Sequence, residues 1–490
     1  MSKFDLPRAT RDFPPGETAA RNLVRAAFIQ SAEVYGFQEI QTPVFEHVEL
    51  FLARSGPEIK GSMLTFHCDH EEFALRPEMT APVCRLMSSD LLVSDYLPHK
   101  FSYFGPCFRY TRPDSGRYRE FLQAGMECLG ASGPEVDAEV IAASARTLNS
   151  LGIEDFTLRI GNMGIFRDLM PDDFAIEEWA TVIGHLDRLN SIHEKCRLLA
   201  NGLDESILGD LRIDRMELAA LQEQTGYTGP HAIANKSHLD PTEYAKEMGP
   251  EAETTFRRLW EVEETVPMET AELLIQISRL RGPIQTVREE AFSLLRGSNS
   301  TTALAELFAV CEAVEMYGIH NFNVALGIAR GFTFYTSTVF EITSGLADGD
   351  RLYCGGGRYD RLVELFGGPA TPSMGCAFRF DTLVEAFRNA NAWKQPRPYQ
   401  IFLLSETNAE LHSTIQFSEE LRKRGLRVGV GLGKPTSDRA SDLAKHKTDA
   451  LAYIYATDSI RLLYAGTEEE LPLDATKVSA CVKSFNDESS

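Results

Sequence analysis

Two β-rich blocks, one from Gly36 to about residue 130 and the other from 322 to 387, are separated by a long stretch patterned for helix. Residues 165–315 are rich in Leu, Glu, Arg and Ala at helical spacing, with IEEWATVIGHLDRL and TAELLIQISRL as clear amphipathic segments. The two β-rich blocks are therefore expected to share one mixed α/β domain, interrupted by a helical insertion. Turn signals at Pro14, Pro15 and Gly16 precede a helix over 17–35, with Leu23, Ala27 and Val34 on its apolar spacing and Gly36 as its stop. Strands are expected over Gln38–Thr42, Met63–Cys68, Lys100–Phe104 and Gly125–Leu129.

Beyond a Pro-rich, Trp-containing joint at 392–398, the segments YQIFLL, a helix ending ELRKRG, LRVGVG, SDRASDLAKH and ALAYIY alternate strand with helix. That alternation predicts a small α/β domain, with the final dozen residues frayed. At 490 residues, with 43% hydrophobic and 24% charged residues, the chain has the size and composition of a soluble protein of two to four domains. Its net charge of -22 gives no bulk attraction to nucleic acid or anionic membranes. The nine cysteines stand singly, without a C-x-x-C pair, which argues against a zinc ribbon or disulfide framework and predicts reduced, mostly buried thiols. No metal site is expected. The N-terminus lacks an apolar signal core and no uncharged apolar run approaches membrane-spanning length, so a cytoplasmic location with no membrane partner is expected.

The densest chemistry lies in GPCFRYTRPDSGRYREFLQAGMECLG, residues 105–130. Arg109, Arg112, Arg117 and Arg119, with the backbone of Gly116, suit a phosphate-bearing ligand, with Arg109, Arg117 and Arg119 as the phosphate candidates; a solvated charged hairpin is the plainer alternative. Gln123 and Glu127, four residues apart, can face one ligand. In LRPEMTAP, residues 75–82, Glu78 and Thr80 share a face if the segment is extended and can hold an ammonium group; otherwise they cap a strand-to-helix turn. LGIARGFTFYTSTVFEI places Arg330 beside a glycine and Tyr335 in an aromatic run, so Arg330 either approaches a reacting acyl phosphate or pairs with an acid at a sheet edge. CGGGRYDRLVELFGG is neither G-x-G-x-x-G nor a P-loop, and reads as tight backbone packing before a helix at Arg358. TPSMGCAFRFDTLVEAF reads as a strand followed by a helix from about Asp381.

Taken together and in this order, RATRDFPPGE, TPVFE, LRPEMTAP, the 105–130 segment, ARGFTFYT, GGGRYD and TPSMGCAFRFDT resemble the histidyl-tRNA synthetases along about 1–150 and 320–390. The resemblance implies the class II aminoacyl-tRNA synthetase antiparallel sheet with flanking helices, normally a homodimer formed through motif 1 around Pro43. It divides the chain into a synthetase-like domain (1–160 with 320–390), a helical insertion (161–319) and an anticodon-binding-like α/β domain (399–485). By position, Glu78, Thr80, Arg109, Gln123, Glu127 and Tyr335 match the family's histidine pocket, and Arg330 matches its catalytic arginine.

The departures fall on the other substrate. Family motif 3 ends G-L-E-R, whose arginine lies against ATP; the matching residues are Arg379, Phe380, Asp381 and Thr382. The motif 2 glutamate is Thr111, and the aspartate of R-G-L-D-Y-Y is Thr333. Loss of a charge-assisted contact to a polyphosphate costs about 1.5 to 3 kcal/mol. This combination, with RIGNMGIFRDLM at 159–170, resembles the synthetase paralogue that serves as regulatory subunit of ATP phosphoribosyltransferase. The expectation is a histidine-binding, non-aminoacylating partner of the short catalytic phosphoribosyltransferase chain in histidine biosynthesis, with no permanently bound cofactor. The alternative is an active histidine--tRNA ligase using ATP, Mg and tRNA, with Arg379 standing in for the lost arginine. The paralogue usually lacks a C-terminal domain, whereas residues 399–485 are present here with 11 Lys/Arg against 12 Asp/Glu, a balance that announces no RNA surface. A synthetase-derived protein with an unrelated partner is a third reading.

Overall fold

A computed structural model of the chain describes residues 5–55, 57–89, 97–110, 118–170, 268–328, 334–345, 351–390, 398–434, 438–454, 459–464 and 467–487. They divide into a large unit, Met1–Pro14 with Ala20–Trp393, and a smaller one, Pro15–Ala19 with Lys394–Ser490.

The first helix, α1 (Pro15–Val34), starts on a proline whose missing N–H costs nothing at that position, carries Glu17 in its first turn, and is followed by Gly36 at φ +81°. The helix is where the sequence predicts it, but its buried stripe is Ala20, Val24, Phe28 and Ala32. Leu23 and Val34, read as part of that stripe, are exposed. Helices α2 (Val48–Ser55), α3 (Thr80–Met87) and α4 (Pro134–Ser150) follow.

The large unit is organised on a nine-stranded sheet. Its strands are β1 (Gln38–Glu39), β5 (His99–Phe108), β6 (Glu120–Leu129), β7 (Phe156–Asn162), β8 (Arg281–Gly282), β9 (Phe322–Ala325), β10 (Thr338–Ser344), β11 (Leu352–Arg358) and β12 (Ser373–Arg379). They lie in the order β1-β5-β6-β12-β11-β10-β7-β9-β8. The pairs β1–β5 and β7–β9 are parallel and the rest antiparallel. Both β-rich blocks thus enter one mixed sheet, which is the expected class II architecture.

Alternation along the central strands separates the two faces. Ala124, Met126 and Cys128 of β6, Met374, Cys376 and Phe378 of β12 and Phe340 and Ile342 of β10 point into one core with α1, α4 and the helix Thr301–Met316. Phe28 of α1 meets Phe378 edge-on at 5.6 Å. The opposite face carries Tyr103, Gln123, Glu127, Gly375 and Gly357, among them candidate site residues.

The stretch expected as an insertion, 161–319, is described only at its ends. Those ends do not stand apart as helical structure: residues 161–162 finish β7, Arg281–Gly282 form β8, and the helix Thr301–Met316 packs its Leu304, Leu307 and Cys311 into the large core. The sheet and its core therefore recruit 268–319. Residues 171–267, including IEEWATVIGHLDRL, lie outside the described residues.

A second, three-stranded sheet, order β2-β4-β3, is built from β2 (Phe45–His47), β3 (Leu64–Cys68) and β4 (Glu71–Leu75). Ala74 faces a small core, while Phe45, Phe66 and Phe73 cluster on the other face at ring distances of 5.7 to 5.8 Å.

The smaller unit holds a five-stranded sheet, order β14-β13-β15-β16-β17, of β13 (Tyr399–Ser405), β14 (Val428–Leu432), β15 (Thr448–Ile454), β16 (Ser459–Tyr464) and β17 (Thr467–Pro472). β13 runs parallel to both neighbours, as strand–helix–strand alternation requires. The helix Asn408–Lys423 is opened by a capping box between Thr407 and Glu410. Of the final dozen residues, expected to be frayed, those up to Asp487 are helical, the helix Ala475–Asp487 burying Val478 and Val482 in the unit's core, and 488–490 lie outside the described residues. Among the described residues no helix is long and apolar enough to cross a membrane.

Candidate functional site

Glu127 sits in the middle of β6 on the face opposite the main core and is 1% exposed. A carboxylate removed from water so completely needs donors. Three hydroxyls provide them: Thr80 Oγ1 donates to Oε1 at 2.9 Å, Tyr103 OH to Oε1 at 3.2 Å, and Tyr359 OH to Oε2. Burial pushes the Glu127 carboxyl up from 4.5 to about 7, against the lowering effect of these hydrogen bonds. Burial likewise holds the Tyr103 and Tyr359 phenols well above their ordinary value, so they remain donors. Since an ionised carboxylate offers about four acceptor positions, one remains for a ligand N–H.

Glycines make this arrangement fit. In the register, Gly375 of β12 lies opposite Glu127, and a Cβ there would come within 1.5 Å of Glu127 Oε2. A Cβ on Gly125 would meet the Tyr103 ring at 2.3 Å, and one on Gly357 would meet the Tyr335 ring at 2.8 Å. The triple glycine is therefore tight backbone packing, as the sequence suggests, and also a seat for an aromatic side chain. The helix expected there begins at Leu362 rather than at Arg358, which ends β11.

Glu78 and Thr80 do not share an extended face, because Thr80 is the first residue of α3. Instead the Glu78 carboxylate, buried, accepts the amide N–H groups of Thr80 at 2.7 Å and Ala81 at 3.1 Å, capping the open end of α3. That cap fixes Thr80 so that its hydroxyl reaches Glu127. The turn and the pocket are one device.

Arg109 continues the β5–β6 ladder, its backbone N–H donating to Arg119 O at 2.9 Å. Its Nε donates to Pro77 O at 2.8 Å, and its guanidinium lies 5.4 Å from the Phe121 ring centre. Arg119 stacks over Tyr110 at 4.8 Å, and its buried Nε has no acceptor among the described residues. Gln123 Oε1 accepts the Cys107 thiol at 3.4 Å; burial raises that thiol to about 12, keeping it protonated. Thr80, Gln123, Glu127 and Tyr335 are thus brought to one region of the sheet face, with Arg109 beside the Pro77–Glu78 turn. Arg117, Arg330, Thr111 and Thr333 lie outside the described residues.

Arg379 ends β12 directly opposite Gln123, and opposed residues of an antiparallel pair share a face. It is therefore carried on the Gln123 and Glu127 side. Thr382 lies in the first turn of the helix Phe380–Ala390, where it offers no cation. The preceding Asp381 is held by Arg11 at 2.7 Å and Arg21 at 2.6 Å. Arg21 and Arg11 in turn lie 3.9 Å from the ring centres of Phe13 and Tyr118, respectively.

Several partners escape a reading of the sequence. Tyr103 stands in an apolar strand without a motif, and Tyr359 beside the triple glycine is separated from Glu127 by 232 positions. Arg358 pairs with Asp137 of α4 and donates from Nη1 to Asp360 at 3.0 Å, fixing the backbone that carries Tyr359. The Arg-Tyr-Asp run after the glycines is the one local signal that could have pointed to this support.

A family model described as histidyl-tRNA synthetase matches residues 9–225 and 232–383 of the chain. The histidine--tRNA ligase of Methanocaldococcus jannaschii is 32% identical over 447 residues, covering 91% of this chain and 90% of its own. That of Methanococcus aeolicus is 32% identical over 384 residues, covering 78% of this chain and 76% of its own. Among solved structures, the histidyl-tRNA synthetase of Nostoc sp. PCC 7120 shares the fold with a TM-score of 0.70 at 20% identity over 99% of both chains. An ATP phosphoribosyltransferase regulatory subunit/histidyl-tRNA synthetase from Bacillus halodurans does so with a TM-score of 0.65 at 22% identity, over 93% of this chain and 99% of that one.

Proposed function

Because the chain belongs to the histidyl-tRNA synthetase family, we propose that it keeps the histidine-binding half of such a site and serves as a histidine-binding, non-aminoacylating regulatory subunit of a short-form ATP phosphoribosyltransferase. One observation carries this reading. The Glu127 cage is complete, with every donor in place, while the motif 3 position that resembles the ATP-facing arginine is Thr382. A buried carboxyl ringed by Thr80, Tyr103 and Tyr359 suits an imidazole N–H, and Gln123, Arg109 and Tyr335 flank it. A threonine in the first turn of a helix supplies no charge to a developing polyphosphate. Histidine then acts by differential binding, biasing the partner's equilibrium.

The test combines three measurements on the intact protein: calorimetric titration with histidine, histidine-dependent pyrophosphate exchange with ATP, and the activity of a short-form catalytic chain with and without this subunit. Binding without exchange, and a histidine response conferred on the partner, are expected. Robust exchange would overturn the assignment.

A second reading, an active histidine--tRNA ligase with ATP, Mg and tRNA as its reactants, is favoured by Arg379. Its register position on the Gln123 side gives the chain a cation three residues before the missing one. The full-length similarity to proteins named histidine--tRNA ligase agrees with it. If exchange is found and Arg379→Leu removes it, this reading replaces the first.

In either case a cytoplasmic homodimer is proposed. The aromatic face of the three-stranded sheet supports the dimer: Phe45 is 50% and Phe66 38% exposed, and this sheet adjoins the Pro43 segment. Arg76 joins that segment to β5, donating from Nη1 to Thr42 O at 2.8 Å and from Nε to Pro106 O at 2.8 Å.

A further inference from the structure

On the helical side of the large sheet, away from Glu127, the ends of α1 and of the helix Thr301–Met316 meet the last turns of α4 around a cavity of about 350 Å³. Its volume lies at the small end of the range for ligand sites. Ala142 and Ala145 keep its floor low, and Tyr35 and Tyr317, the residues that end the two helices, supply aromatic walls with ring centres 6.4 Å apart at 45°. Arg146 and Asn149, both exposed on α4, line the same hollow.

The polar groups here are mostly donors. Ser150 is already engaged, donating to Thr147 O at 2.8 Å and meeting Ser31 Oγ at 3.2 Å. Among the described residues, no hydrogen bond or ion pair engages the Arg146 guanidinium, the Asn149 carboxamide or the Tyr35 and Tyr317 hydroxyls. Burial raises both phenols, keeping them protonated and able to donate. Of the carboxylates acting on them, Glu139 is neutralised by Lys100 at 2.7 Å, and Glu135 acts on Tyr317 more weakly. Among the described residues, Arg146 is left as the uncompensated charge on the cavity wall.

A cationic fork, an amide and two phenols around paired aromatic surfaces suit a ligand that is flat and negatively charged. We propose that this cavity is a second binding site of the protein, taking a small planar aromatic anion whose ring lies on Tyr35 and Tyr317 and whose acidic group is held by Arg146 and Asn149. Two sources share that chemistry, a nucleoside monophosphate and an aromatic carboxylate.

Saturation-transfer NMR and calorimetry on the intact protein, with AMP, 4-hydroxybenzoate and inorganic phosphate as probes, test the site. One aromatic probe is expected to bind, and to bind at least tenfold more weakly to Arg146→Gln and to Tyr317→Leu. Binding by Glu127→Gln should be unchanged, which separates this site from the histidine pocket. Arg146 is exposed and unpaired among the described residues, so its substitution leaves the fold intact, as circular dichroism would verify. Which aromatic probe binds identifies the source. Failure of both to bind, binding indifferent to Arg146, or equally tight binding of phosphate alone would overturn the proposal.

Discussion

Glu127 concentrates the physical tension of the site in one side chain. Its carboxyl titrates near 7 in the folded protein and near 4.5 when unfolded, so the native state favours the protonated form. The stability this contributes is complete below pH 4.5 and is lost as pH rises toward 7, a change on the order of 3 kcal/mol. Denaturant titrations from pH 4.5 to 8 should show wild type falling relative to Glu127→Gln over that window; parallel curves would count against a carboxyl so strongly raised. Binding an imidazole N–H favours the ionised carboxylate, so histidine binding near pH 7 should release protons. Calorimetry in buffers of different ionisation heat should detect this in wild type and not in Glu127→Gln. Gly375 matters for the opposite reason, its lack of a side chain. Gly375→Ala drives a methyl into Glu127 Oε2, and histidine affinity should fall about tenfold or more, about 1.4 kcal/mol.

Secondary-structure elements determine how these residues are held. α3 begins where Glu78 caps it, and α4 is tied to β11 by the buried Arg358–Asp137 pair, whose side chains are 7% and 4% exposed. Removing Arg358 strands the Asp137 charge, so Arg358→Met should cost about 3 to 5 kcal/mol in urea unfolding, and Asp137→Asn less, because Asp360 still accepts from the arginine. An effect below about 1 kcal/mol would mean that water reaches the pair. Element identity was legible in the sequence where local rules suffice. Pro15 and Gly36 bound α1, and the β12-to-helix switch falls at Phe380, one residue from its expected place. The face of α1 was not, because Leu23 and Val34 are apolar yet lie on a side that no element among the described residues covers.

The whole large unit turns on bringing distant segments into one sheet, and its exposed aromatic face predicts assembly. Phe66→Glu should convert a dimer to a monomer in sedimentation or light scattering without altering circular dichroism; a dimer that persists would place the interface elsewhere. The order of residues already showed that two β-rich blocks would join and that Gln123 and Glu127, four residues apart, could face one ligand, although the strand expected at Gly125–Leu129 left Gln123 outside it. It also determined that the second β-rich block would lack an arginine at position 382. These follow from periodicity and residue chemistry, which act over a few positions. Which hydroxyls surround Glu127, which glycines clear its space and which arginines hold Asp381 emerge only once the chain is folded. So does the joining of 268–319 to the sheet. Those contacts link residues 232 and 360 positions apart, and strand pairing rather than local propensity brings them together.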